Sequence, residues 1–168
     1  MHNLLLNNAY LNDLLHPPEA LRDTLDAFSG QRFDEIRLLA QRLASGALKR
    51  IVLTGMGSSC HALHPLRLTL SEHGLLTEMF ETSELVHFAT KLLAPETLVV
   101  AVSQSGQSAE IVQLLEKAQG RAAILGVTNT PDSPLALKSD ALLLTHAGSE
   151  YTVSCKTYVT TLAALALL

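Results

Sequence analysis

The sequence predicts an α/β fold in which a doubly wound, five-stranded parallel sheet is flanked by helices on both faces and preceded by two helices. Three observations lead there. Apolar runs recur at Ile51–Thr54, Leu76–Phe80, Leu98–Val102, Ala122–Val127 and Ala141–Thr145, and a run without alternation suits a strand covered on both faces. The segments between the runs are long enough for the crossover helices that parallel neighbours need. Two of the runs end in serine and glycine loops that open into helical periodicity, the strand–loop–helix grammar of an open α/β sheet.

In chain order, Pro17-Pro18 starts a helix over Glu19–Phe28, because proline has no N–H to waste in a first helical turn. A second helix carries Phe33, Ile36, Leu39, Ala40 and Leu43 on one stripe and ends at Gly46. The strand Ile51–Thr54 then runs into Gly55-Met56-Gly57-Ser58-Ser59 and a helical stretch, and Val99–Val102 runs into Ser103–Ser108 and a helix whose apolar positions are Ile111, Leu114, Leu115 and Ala118. Tyr151–Leu168 reads as one long last helix, with Val153, Tyr158, Leu162, Leu165 and Ala166 available for packing. Right-handed crossovers place helices on both faces of the sheet, giving a three-layer sandwich of the flavodoxin-like or Rossmann-like kind. There is no internal repeat, low-complexity tract or linker, so the expected organisation is one domain: N-terminal helices over 1–46 and an α/β core over 47–168.

At 168 residues and 48% hydrophobic, the chain can bury a sizeable core. Twelve basic against 16 acidic residues give a net charge of −4, without any basic run, which argues against nucleic acid as a partner. No apolar run is long enough to span a membrane, and the leucine-rich start carries asparagines and no cationic lead, unlike a signal peptide. Two cysteines, Cys60 and Cys155, lie in different elements without metal-ligand spacing, so reduced thiols and a cytoplasmic setting are expected, with no metal and no cofactor. The apolar end of the last helix predicts self-association, as a homodimer or higher oligomer.

The loop Ser103-Gln104-Ser105-Gly106-Gln107-Ser108 is the strongest functional candidate. It offers three hydroxyls and two amides at a helix N-terminus, with Gly106 free to turn the backbone sharply, a combination that can hold a phosphate. Without lysine or arginine in the loop, the grip would come from neutral donors and the helix dipole, which suits reversible binding of a small metabolite. Taken alone, the loop fits turn chemistry plus an N-cap equally well. Its companion after the first strand shifts the balance, since both loops open at the carboxyl edge of the sheet. The Gly55-x-Gly57 pair is neither a full dinucleotide fingerprint, position 60 being Cys60, nor a Walker loop.

Together, Gly55–Ser59, Ser103–Glu110, Val127-Thr128-Asn129 with Ser133-Pro134-Leu135, and Ala147–Glu150 with Cys155-Lys156-Thr157 resemble, in order, the motifs of SIS (sugar isomerase) domains. The similarity spans most of the chain from about Tyr10 and is greatest to the first SIS domain of the isomerase half of glucosamine-6-phosphate synthase and to related phosphosugar isomerases and deglycases. The resemblance implies a sugar phosphate ligand, with its phosphate on Ser103, Gln104, Ser105, Gly106, Gln107 and Ser108. The sugar would be met by Gly57, Ser58 and Ser59 and closed over by Thr152, Val153 and Ser154. Between Glu150 and Lys156 the chain is one residue shorter than the synthase pattern, and Cys155 stands where that family commonly has threonine.

The family's catalytic glutamate, lysine and ring-opening histidine lie in its second SIS domain, so the resemblance implies the first half of a tandem protein. Glu150 and Lys156 tempt as an acid–base pair for moving a proton between adjacent carbons. Six residues apart they do not share a helical face, and a structural role is expected of both: Glu150 accepting from loop amides, Lys156 tying strand ends. His61 and His64 at i, i+3, with His73 and His87, read as helix-surface or interface residues, and His146 stands at a strand end within reach of a ligand, beside a turn marked by Gly148. Ammonia transfer from glutamine would require an N-terminal cysteine nucleophile, whereas this chain begins Met1-His2-Asn3. Two function classes follow: a phosphosugar isomerase, aminotransferase or deglycase lineage in which this half binds without turnover, and a non-catalytic phosphosugar sensor.

Overall fold

The computed structural model describes residues 9–29, 33–150 and 154–168. Five parallel strands, β1 (Arg50–Gly55), β2 (Thr77–Glu81), β3 (Thr97–Val102), β4 (Ala123–Thr128) and β5 (Ala141–Leu144), form one sheet in the order β2-β1-β3-β4-β5. Register is continuous across its centre: Leu53 pairs with Val100 and Met79, and Val100 with Leu125. All six residues of β3 and of β4 are buried, which is why those strands read as unbroken apolar runs.

Alternate residues of each strand feed two separate cores. Ile51, Leu53, Leu98, Val100, Val102, Leu125 and Val127 point to one face. Val52, Val99, Ala101 and Ile124 point to the other. The first face is covered by helices α2 (Pro17–Phe28), α3 (Asp34–Ala44), α4 (Ser58–Ala62), α5 (His64–Glu72) and α9 (Lys156–Leu165), through Phe28, Leu39, Ala62, Leu66 and Leu165. The second is covered by α6 (Thr82–Phe88), α7 (Ala109–Ala118) and α8 (Pro134–Lys138), through Leu85, Ile111, Leu114 and Leu135. The three-layer, doubly wound sandwich expected from the sequence is therefore present. Among the described residues no helix is long and apolar enough to cross a membrane.

Three local expectations are revised. The two N-terminal helices are joined by a further short one, α1 (Ala9–Leu15), which packs against α2. The stretch after β1 is broken at Leu63, because Pro65 brings no N–H and begins α5 instead of continuing α4, so His61 and His64 sit on different helices. The last helix begins at Lys156 rather than Tyr151. Its start is fixed by Glu150, whose Oε1 accepts from the Lys156 N–H at 2.7 Å and whose Oε2 accepts from Thr157 Oγ1 at 2.6 Å.

Candidate functional site

The strand order reverses between β1 and β3, so the loops after these strands flank the crevice where ligands of open α/β sheets bind. Gly55 closes β1 under tight constraint: a Cβ there would lie 2.9 Å from the Cys60 nitrogen and 3.0 Å from the Val102 carbonyl oxygen. Only glycine lets α4 rest so closely on the strand end. After it, Ser58 is exposed and Ser59 half-buried. Burial pushes the Cys60 thiol above its ordinary value, and the Glu81 and Glu84 carboxylates add to the shift.

The serine loop is held by its own hydroxyls. Ser103 Oγ accepts from the Gly106 N–H at 3.1 Å, Ser105 Oγ from the Gln107 N–H at 3.5 Å, and Ser108 Oγ caps α7 by accepting from the Ile111 N–H at 3.4 Å. A hydroxyl that accepts in this way keeps its own O–H to donate, so each serves the turn and stays available to an anion. The Gln104 carbonyl is anchored by three donors at the end of β4 and just after it: Thr128 Oγ1 at 3.1 Å, the Asn129 N–H at 3.1 Å and Thr130 Oγ1 at 3.3 Å. Gly106 has a φ of +62° and packs on Ser133, and its carbonyl accepts from the Leu135 N–H at 3.0 Å.

Two spaces adjoin Gln104. One is a cleft lined by Ser58, Ser59, Gln104, Ser154, Thr157 and Tyr158, with a volume of about 10 Å³. That is room for about one water, so a sugar placed there has to part these side chains. The other is an open depression of about 690 Å³ lined by Asp23, Gln104, Asn129, Thr130, His146, Gly148, Ser149 and Glu150. Of the expected site residues, Ser58, Ser59, Gln104 and Ser154 are thus brought together. Gly57 is exposed at a φ of +52° just before α4, and Thr152 and Val153 lie outside the described residues.

Glu150 and Lys156 are both engaged in local structure. Besides the bonds from Glu150, Lys156 Nζ donates to the Ser149 carbonyl and pairs with Asp13 of α1 at 2.8 Å. Lys156 therefore reaches α1 rather than strand ends. Asn129 and Asp23, which sequence reasoning did not place in a site, line the depression. Asn129 follows a buried strand and ends the Val127-Thr128-Asn129 segment, the two signals for it in the sequence.

The model of the SIS domain matches residues 47–168. The chain belongs to the SIS domain family. Two curated relatives are both named glutamine–fructose-6-phosphate aminotransferase (isomerizing). The protein from Sulfolobus acidocaldarius is 31% identical over 92% of this chain and 26% of its own length. The one from Symbiobacterium thermophilum is 34% identical over 94% and 27%. This SIS domain spans about a quarter of the length of those relatives. Among solved structures, the C-terminal domain of glucosamine-fructose-6-phosphate aminotransferase from Francisella tularensis superposes with a TM-score of 0.82 at 24% identity, over 96% of this chain and 46% of that one. Tagatose-6-phosphate ketose/aldose isomerase from Escherichia coli gives 0.74 at 23%, over 94% and 47%. At these identities the two structures share the fold with this SIS domain.

Proposed function

We propose that this SIS domain binds a sugar phosphate, its phosphate on Ser103–Ser108 and its sugar facing Gly57, Ser58, Ser59 and the Thr152–Ser154 segment. The proposal places it as the N-terminal half of a ketose/aldose phosphosugar isomerase, isomerising aminotransferase or deglycase, paired in the cytoplasm with a second SIS domain or a second copy that brings the acid–base residues. The observation that carries this reading is the set of three serine hydroxyls, each accepting from a loop or helix N–H and so left with its own O–H to donate, in the loop that leads into the N-terminus of α7. The names of its relatives agree with the ligand class.

Isomerisation through an enediol needs a base with an uncommitted lone pair beside the substrate carbon. Glu150 accepts at the start of α9 with both oxygens and Lys156 pairs with Asp13, so both serve local structure, and under this reading the acid–base groups come from the second half. The same observation favours the second reading, a phosphosugar sensor. Turnover on adding the second half separates the two.

The test is calorimetry of the chain with fructose 6-phosphate, glucosamine 6-phosphate, the free sugars and inorganic phosphate. Phosphosugars are expected to bind where free sugars do not. Ser105→Ala, at the longest of the internal bonds, is expected to weaken them about tenfold, as loss of a hydrogen bond to a charged group does. Equal binding of free sugars, or full affinity in the variant, refutes the reading.

A further inference from the structure

Asn129 makes four hydrogen bonds that join two parts of the site. Its backbone N–H donates to the Gln104 carbonyl at 3.1 Å, on the serine loop. Its side chain reaches the turn after β5: Oδ1 accepts from the Ala147 N–H at 2.8 Å and from Thr145 Oγ1 at 3.2 Å, and Nδ2 donates to the Gly148 carbonyl at 2.8 Å. These contacts straddle His146, which has a φ of +50° and is the one non-glycine residue at positive φ among the described residues. A side chain in that region is disfavoured unless its surroundings hold it. Here the Asn129 amide supplies the hold from both sides, and the His146 ring packs edge-on against Phe28 at 6.2 Å.

The turn so fixed leads through Gly148 and Ser149 to Glu150, whose carboxylate starts α9. Gln104 on one side and Gly148, Ser149 and Glu150 on the other are walls of the same depression, with Asn129 between them. We propose that Asn129 is a positioning residue: it sets the spacing between the serine loop and the turn that carries the α9 wall, so that one ligand engages both. This rests on the phosphosugar reading above. A ligand touching only the serine loop does not depend on that spacing. One that extends from the loop to the second wall does.

The experiment compares Asn129→Ala with the unaltered chain by calorimetry, using fructose 6-phosphate and inorganic phosphate as probes. The variant is expected to bind fructose 6-phosphate about tenfold more weakly, within the usual range of coupling between sites, while inorganic phosphate changes by less than about twofold. Asn129→Ala is then placed in a His146→Gly background, where glycine adopts positive φ without the clasp. Part of the lost fructose 6-phosphate affinity is expected to return, a rescue that a residue needed only for folding does not give. That background also keeps the test available if the single variant does not fold. Equal weakening of both ligands, unchanged fructose 6-phosphate affinity, or no rescue by glycine overturns the proposal while the phosphosugar reading stands. If the unaltered chain binds neither probe, the phosphosugar reading fails and this proposal falls with it.

Discussion

Replacing Gly106 by alanine tests whether the serine loop is shaped by its backbone. At a φ of +62°, a Cβ on this residue would stand 2.2 Å from Ser133 Oγ, 2.7 Å from Ser133 Cβ and 2.9 Å from Thr128 Oγ1. The backbone term for a side chain in the left-handed region is about 1–2 kcal/mol. Forcing a methyl into a packed site adds about 1–3 kcal/mol. The two sum to roughly 2–5 kcal/mol, and at about 2–4 °C per kcal/mol for a chain of this size the melting temperature should fall by on the order of 10 °C. Calorimetric melting of four chains decides it: unaltered, Gly106→Ala, Ser133→Gly, and the double variant. Ser133→Gly removes the nearest obstruction and, because glycine is a tolerable N-cap, costs α8 only a few tenths of a kcal/mol. In that background Gly106→Ala should cost only the backbone term and the lesser contact with Thr128. A single variant melting within a degree or two of the unaltered chain, or an identical cost in both backgrounds, refutes the reasoning.

Three further outcomes are expected. Lys156→Met takes the ammonium from Asp13, whose side chain is fully buried, and should cost about 1.5–3 kcal/mol in urea denaturation, as losing a hydrogen bond to a charged group does; an unchanged midpoint contradicts the pairing. Ser108→Ala should cost about 1 kcal/mol through the lost α7 cap and also weaken phosphosugar binding, whereas loss of stability alone would leave Ser108 a cap and nothing more. For Cys60, burial and then Glu81 and Glu84 raise the thiol above 9.0 in the folded chain, so the folded state holds this proton more tightly than the unfolded one. Its contribution is full below that value and is lost as pH rises through the folded-state value. Urea midpoints should therefore drop on the alkaline side in a way that Cys60→Ala abolishes, and an unaltered drop in that variant removes Cys60 as the cause.

The sheet was legible because its strands are buried on both faces. Val99–Val102 and Ile124–Val127 need no polar alternation when helices lie above and below, and such runs between crossover lengths admit few topologies. The serine loop was legible because its chemistry is local: each hydroxyl bonds an N–H two or three residues ahead. What escaped the sequence depends on distance along the chain. Asn129 bonds residues 16 to 19 positions later and a carbonyl 25 earlier, and no periodicity reports that. The start of α9 was misplaced because the residue that fixes it, Glu150, lies outside the helix, six residues before the first N–H it accepts. Pro65 marks the break before α5 locally, since it brings no N–H to continue α4.

The way charge is used around the site bears on the division of labour in the proposed reaction. The acidic and basic groups at the start of the last helix, Glu150 and Lys156, are spent on the N-terminus of α9 and on its docking to α1. Asp23 and His146 line the depression beside the loop, while the serine loop itself presents only hydroxyl and amide, groups that orient an anion without exchanging protons near neutral pH. Such a surface can hold a sugar phosphate equally well before and after a proton has moved between its carbons. Uniform binding of that kind supplies position and gives no preference for the transition state. Under the proposed reading, that preference comes from outside the serine loop, from the acid–base groups of the second half, and joining the isolated half to its partner should then raise turnover far more than it tightens ligand binding. A partner that tightened binding strongly and produced no turnover would instead favour the sensor.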